Sequence, residues 1–323
     1  MTDIRTIADE VLEVFVIPSF TDLGFLARRR LFDWEDLSQV RLDGRVIFIT
    51  GATSGLGFET ARELTGMGAS VSVLGRSQAS AETACERLRD LIPGADVRSY
   101  VADMSEPSQV REAAERFIAS GSRLDVLVHN AGALLTERRT TSQGLEATFA
   151  SMVLGPFVLT QALTPLLVRT AEAHRPTRII SVASGGMYTQ GLHVDDLQME
   201  HEPYRGTVAY ARAKRAQIAL TGLWADRLWE RGVVANAMHP GWADTPGIEA
   251  ALPRFRKVIG SRLRSAAEGA DTIVWLAASA EAARRTGLFW LDRRARKTER
   301  LPGTRVTDED ARALWEMCER LSD

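Results

Sequence analysis

Val46-Ile47-Phe48-Ile49-Thr50-Gly51-Ala52-Thr53-Ser54-Gly55-Leu56-Gly57 is the stretch on which the fold turns. Its first four residues form a continuous apolar, largely β-branched run of the kind buried in a parallel sheet. Glycines at 51, 55 and 57 then let the backbone approach a pyrophosphate closely, and the helix that follows offers unpaired N–H groups and a partial positive charge. A glycine trio between a buried strand and a helix points to nucleotide binding rather than to a merely structural turn. Beyond it lie a helical stretch from Phe58 to Met67, the break Gly68-Ala69 and a second apolar run from Ser70 to Leu74. Strand, glycine turn, helix, strand is a βαβ unit.

The alternation continues. The spacing predicts helices over Ala79 to Leu91, Pro107 to Ala119, Gly144 to Arg169 and residues 207 to 231, and strands over Val97 to Val101, Leu124 to Val128, Arg178 to Val182, Val233 to Met238 and Leu288 to Leu291. Repeated βα units with apolar strands imply an α/β fold, a doubly wound parallel sheet with helices on both faces. Residues 44–323 read as one domain, with a candidate lid over Trp242 to Ser265 and a terminal helix over Asp308 to Leu321.

Residues 1–43 read as a helical extension. Ile4, Ile7, Ala8, Val11, Leu12, Phe15 and Val16 have the spacing of an amphipathic helix that ends before Pro18. The next segment mixes Phe20, Phe25, Phe32 and Trp34 with Arg28-Arg29-Arg30. Docking on the parent domain or a sister subunit is the favoured reading; peripheral contact with an anionic membrane through residues 4–34 is the other.

With 45% hydrophobic and 25% charged residues among 323, the chain falls in the ordinary range for globular proteins. A formal net charge of -2 supplies no global field for nucleic acid. Cys85 and Cys318 form neither a disulfide framework nor a metal cluster, which fits a reducing cytoplasm. None of His129, His193, His201 and His239 stands at metal-ligand spacing, so no metal is expected. Thr2-Asp3-Ile4-Arg5 does not open a secretory leader, and no uninterrupted apolar run approaches the roughly 20 residues that span a bilayer. A cytoplasmic protein is expected, with the membrane reading confined to the extension.

Tyr210-Ala211-Arg212-Ala213-Lys214 places a phenol and an ammonium one helical turn apart. A positive neighbour favours the ionised phenol, bringing it toward the range useful for acid/base work. Where the second strand ends, a carboxylate would read a free ribose 2′-hydroxyl, whereas an arginine pairs with a 2′-phosphate. The residues here are Leu74-Gly75-Arg76-Ser77, so NADP(H) is expected over NAD(H).

In order along the chain, Thr50 to Gly57, Asn130-Ala131-Gly132, Ser184, Tyr210 with Lys214, and Pro240-Gly241 with Thr245 resemble the motifs of the short-chain dehydrogenase/reductase family, over residues 44 to about 292. Ser184-Gly185-Gly186-Met187, Tyr210 to Gln217 and Met238 to Gly247 narrow the likeness to its member 12 subgroup and bacterial relatives. The resemblance implies a Rossmann-type fold and an oxidoreductase that interconverts a carbonyl and an alcohol on a small molecule. It implies Tyr210 as general acid/base, Lys214 lowering its pKa and holding the nicotinamide ribose, and Ser184 rather than Ser181 holding the substrate oxygen. Thr50, Gly51, Thr53, Ser54, Gly55, Leu56 and Gly57 would cradle the cofactor, with Arg76 at the 2′-phosphate, Asp103 and Met104 at the adenine, Asn130, Ala131 and Gly132 at the sheet, and Pro240, Gly241 and Thr245 over the nicotinamide. It also implies a homo-oligomer that pairs the long helices near 144–169 and 207–231.

Met152 departs from the pattern, because many members carry an asparagine there that holds a water in a proton relay with the lysine. A thioether cannot anchor that water as an amide does. Ser151 on a shifted helix is one substitute; slowed proton transfer is another outcome, and a nucleotide-binding scaffold or redox sensor with low turnover is the alternative function. The long segment between Ser184 and Tyr210, with Tyr188, His193, Asp195, Asp196 and Tyr204, would help wall a larger pocket. Trp242, Leu252, Phe255 and Ile259 suggest an apolar substrate. The basic tracts Arg293, Arg294, Arg296, Lys297 and Arg254, Arg256, Lys257 are expected to be solvated or to face a subunit.

Overall fold

The computed structural model describes residues 3–121, 123–251 and 253–322; Thr2 and Leu252, both singled out above, lie outside them. The apolar runs form the strands β1 (Val46–Thr50), β2 (Ser70–Gly75), β3 (Val97–Val101), β4 (Val126–His129), β5 (Thr177–Val182), β6 (Val233–Met238), β7 (Phe289–Leu291) and β8 (Arg294–Arg296). They pair in the order β3-β2-β1-β4-β5-β6-β7-β8, parallel throughout except for the antiparallel β7–β8 pair. The chain winds outward from β1 to β3 and then resumes at β4 on the other side of β1. That reversal opens the crevice in which doubly wound sheets bind ligands.

Alternation along β1 explains the two-faced core. Phe48 points into one face with Leu127 and Ile179, and Ile47 and Ile49 point into the other with Val71 and Val128. Helices α4 (Gly55–Gly66), α5 (Gln78–Leu91) and α11 (Ala266–Ala278) cover the second face; α6 (Pro107–Ser120), α7 (Ala147–Ala173), α8 (Gly206–Leu228) and α12 (Asp308–Ser322) cover the first. By length and composition α7 is apolar enough to cross a bilayer, but most of it is buried as the core helix of the sheet. It starts three residues later than expected because the Glu146 carboxylate caps it, accepting from the N–H groups of Thr148 and Phe149.

The segment anticipated as a lid holds α9 (Pro246–Ala251) and α10 (Pro253–Ile259), and its ends are laced together. Arg264 N–H donates to Trp242 O at 2.8 Å and Asp244 N–H to Arg264 O at 2.8 Å.

Before the sheet lie α1 (Ile4–Val14), α2 (Val16–Phe20) and α3 (Asp22–Leu31). The first helix breaks at Phe15, and Pro18 sits in the first turn of α2, where a missing N–H costs nothing. The extension docks by its charges. Arg28 is fully buried and donates to Asp9 at 2.8 Å, Glu13 at 2.6 Å, Asp292 at 2.7 Å and both oxygens of Ser19. Asp292 also takes Arg264, while Arg294 and Arg296 both reach Asp9. The tract around Arg294 and Arg296 is therefore a clamp on the extension and not a solvated patch. Arg293 likewise pairs with Asp271. The polar side of α1 faces inward, and its apolar stripe Ile4, Ile7, Val11, Val14 is exposed.

Candidate active site

The glycine turn is shaped by close approach. Gly51 has φ +65°, and a Cβ there would stand 2.8 Å from the Ala131 Cα. Gly57 touches the Asn130 amide, which donates to Thr50 O and Gly51 O at 3.0 Å each. Thr50 Oγ1 accepts from the N–H groups of Asn130 and Ala131, so β1 and β4 are braced to one another where the crevice opens. Ser54 precedes α4 without making a side-chain cap, which leaves the first N–H groups of a 12-residue helix to a ligand. Gly55 (φ +54°) lies under Thr245, bringing the Pro240-Gly241 segment across the same turn. This cradle fits a dinucleotide pyrophosphate.

Around it, Arg76 is exposed just past β2 and Met104 is buried beneath Gly155. The Asp103 carboxylate is engaged by its own turn, accepting from Ser105 N–H at 2.9 Å and Ser105 O–H at 2.7 Å. Gly132 leaves room beside both the Lys214 ammonium and the Met152 sulfur.

Ser184 follows β5 and meets Tyr210 of α8. The Ser184 hydroxyl lies close enough to oppose the rise of the Tyr210 phenol, and it accepts from Gly186 N–H at 3.2 Å. Ser181 points instead into the interior, where its hydroxyl accepts from Thr221 at 2.8 Å. Lys214 stands 5.4 Å from the Tyr210 ring centre and donates to Val182 O at 2.8 Å and Gln217 Oε1 at 3.0 Å. Burial pushes the Lys214 ammonium down to about 7. Burial raises the Tyr210 phenol, and the Ser184 hydrogen bond opposes that rise. The expected lowering of Tyr210 by Lys214 is not among these influences; the Lys214 amine is turned to its two acceptors, Val182 O and Gln217 Oε1.

Met152 lies in a π-helical turn, Ala150–Leu154, within α7. Such turns recur at functional sites because they re-aim backbone carbonyls. The Met152 carbonyl accepts from Gln217 Nε2 at 2.7 Å, so an amide links the Met152 backbone directly to Lys214. The Ser151 hydroxyl, the other candidate, turns back to Thr148 O at 3.4 Å. Gln217 escaped the sequence reading, although it follows Lys214 by three residues and Tyr210 by seven, on one helical face.

Phe20 is the other residue the sequence did not assign to the site. Its ring packs edge-on to His239 at 4.4 Å and Trp242 at 5.7 Å, its carbonyl accepts from Trp242 N–H at 2.7 Å, and it presses on Gly185 beside Ser184. Trp242 in turn meets Phe255 at 4.9 Å. The segment after Ser184 is tied down: Tyr188 O–H donates to Lys297 O, Arg212 faces Asp196, and Tyr204 O–H donates to Glu146.

The family model described as short chain dehydrogenase matches residues 45–253. The chain belongs to the short-chain dehydrogenase/reductase family. This short-chain dehydrogenase is 40% identical to the human Dehydrogenase/reductase SDR family member 12 over 276 residues, 85% of this chain and 84% of the relative. It is 33% identical to the Polyprenol dehydrogenase of Danio rerio over 267 residues, 80% of each chain. Among solved structures it is similar to the Pseudomonas aeruginosa RhlG/NADP active-site complex, with a TM-score of 0.64 and 26% identity over 77% of this chain and 94% of that one. It is thus an NAD(P)-dependent oxidoreductase acting on CH–OH or C=O groups of a small molecule.

Proposed function

We propose that this short-chain dehydrogenase interconverts a carbonyl and an alcohol on a small, mainly apolar substrate, prefers NADP(H), and uses Tyr210 as its general acid/base. The convergence of Ser184, Tyr210 and Lys214 beside the glycine cradle carries this reading. The nicotinamide supplies or accepts the hydride. Ser184 holds the substrate oxygen where charge develops, and Tyr210 gives that oxygen its proton in reduction or removes it in oxidation. Lys214 holds the nicotinamide ribose.

Thr50, Gly51, Thr53, Ser54, Gly55, Leu56 and Gly57 bind the pyrophosphate side, and Asp103, Met104, Asn130, Ala131, Gly132, Pro240, Gly241 and Thr245 line the rest. Exposed Arg76, with no carboxylate beside it in Leu74-Gly75-Arg76-Ser77, supports NADP(H) over NAD(H). The aromatic wall of Phe20, Trp242 and Phe255 supports an apolar substrate, and the similar Danio rerio protein is named for a polyprenol. In this reading residues 44–323 are the catalytic domain, residues 1–43 an appendage that completes its wall, and the working form a cytoplasmic homo-oligomer. An NADPH-against-NADH binding titration, followed by a carbonyl and alcohol panel, tests it. NADPH should bind at least about tenfold more tightly, one charge-assisted contact's worth. Tyr210→Phe should abolish turnover on the active compound, and full turnover in that variant would falsify the acid/base assignment.

A specific observation also supports peripheral membrane contact. Ile4 is 79% exposed, Val14 76% and Phe15 59%, and the exposed run continues through Val16 and Ile17 to Leu23 and Leu26 of α3. Arg29 and Arg30 border that surface, a combination suited to an anionic bilayer. Sedimentation with vesicles containing phosphatidylserine should carry the protein down, and Val11→Glu/Phe15→Glu should leave it in solution. Equal sedimentation of the two proteins would remove the membrane reading.

A further inference from the structure

The sheet carries a second concavity at the end opposite the glycine turn. Arg45 precedes β1, Asp125 precedes β4 and Arg178 lies in the first half of β5, so the strands that deliver Gly51, Asn130 and Ser184 also delimit this cavity of about 400 Å³. At roughly 3.3 Å per residue, the two ends lie about 17 Å apart.

Five arginines, Arg41, Arg45, Arg175, Arg178 and Arg284, line the cavity with Glu35 and Asp125, and Arg41 pairs with Asp43 at 3.4 Å. Asp125 is already committed to Arg45 at 2.6 Å, Arg123 at 2.6 Å and Val46 N–H at 2.9 Å. Arg175 and Arg284 are exposed and make no ion pair among the described residues. Arg178 is the telling group. It is 8% exposed, and among the described residues its guanidinium has one hydrogen bond, to Leu276 O at 2.6 Å, and no carboxylate within ion-pair distance. Burial, and after it the Arg45 guanidinium, pushes it down to about 10, against the weaker opposing pull of the Asp125 and Glu35 carboxylates. A buried cation beside another cation is costly unless an anion compensates it. The rest of the lining is apolar, with Leu42, Val126 and Ala277.

We infer that this cavity binds a phosphate-bearing small molecule, with Arg178 at its floor and Arg175 and Arg284 at its mouth engaging the phosphate oxygens. The planar fork of arginine matches phosphate bidentately, and the apolar lining accepts the uncharged part of the ligand. The site is separate from the dinucleotide crevice and does not depend on the proposed catalytic roles.

Calorimetric titration of inorganic pyrophosphate into protein carrying one equivalent of NADPH, at ionic strength fixed with chloride, tests the inference. One pyrophosphate should bind per chain, and the surface variant Arg175→Ala/Arg284→Ala should weaken it at least about tenfold. The thermal midpoint should rise with pyrophosphate in the parent protein and much less in the variant. Absence of saturable heat beyond the chloride control, or equal affinity in the two proteins, would overturn the inference. Tighter binding of citrate than of pyrophosphate would overturn the phosphate assignment.

Discussion

Lys214 is a buried amine pushed down to about 7, so its ammonium fraction falls as pH rises through neutrality. Gln217 Oε1 is one of its two acceptors and favours the charged form. Replacing it in Gln217→Leu removes that acceptor and leaves the Met152 carbonyl without the amide. If the ammonium is the working form, the alkaline limb of the kcat–pH profile should move to lower pH, and turnover at pH 8 should drop about tenfold, the worth of one hydrogen bond to a charged group. Gln217→Glu should move the limb the other way. Superimposable profiles for all three proteins would show that Gln217 does not position Lys214. The grouping of Tyr210, Lys214 and Ser184 was legible as spacing, because it depends on one helix and one strand end. Gln217 was not, because its meaning comes from a carbonyl on a different helix.

At the scale of elements, α1 is inside out. Periodicity marked it as amphipathic but could not say which face turns inward, since hydrophobic patterning alone assigns the apolar side to the core. Three arginines from the far end of the chain and Arg28 reverse that assignment by pairing with Asp9 and Glu13. Arg28→Met would leave those carboxylates and Asp292 with an uncompensated hub, a change expected to cost about 3 to 5 kcal/mol of docking. Protease cleavage within residues 4–31 should then accelerate while the sheet stays folded. Arg28→Lys should rescue little, because one ammonium cannot reproduce a fork that serves five oxygens. Unchanged proteolysis in Arg28→Met would mean that the apolar contacts of Phe20 and Phe25 hold the extension by themselves. The missed strand β8 has a related cause: its turn uses Asp292 and Arg293 at φ 53° and 56°, and the absence of glycine there hid the hairpin.

Across the whole molecule, two histidines are buried in neutral form. His129 and His239 are both pushed down to about 3, chiefly by burial, and neither His239 nitrogen has a hydrogen-bond partner among the described residues. Between pH 6.5 and about 3 the unfolded chain takes up protons at these rings that the folded chain refuses, so stability falls as pH falls through that window. The slope should approach about 1.4 kcal/mol per pH unit for each histidine. His239→Leu should flatten the fall of the thermal midpoint between pH 6 and pH 4, and a parallel fall in that variant would refute the assignment. Most of the sheet was readable in advance because buried parallel strands leave uninterrupted apolar runs. The sequence could not reveal that its first helices are locked by its last strands.

That lock has a consequence in time. Arg28 and Asp292 are 264 residues apart. At about 5 to 20 residues per second of synthesis, the extension emerges roughly 13 to 50 s before its partner exists. During that interval the apolar stripe of α1 and the charges meant for burial are presented together on an undocked segment. Attachment of the first thirty residues is therefore a late event in the birth of the protein, and the nascent chain is most vulnerable to mispairing just before its final hairpin closes.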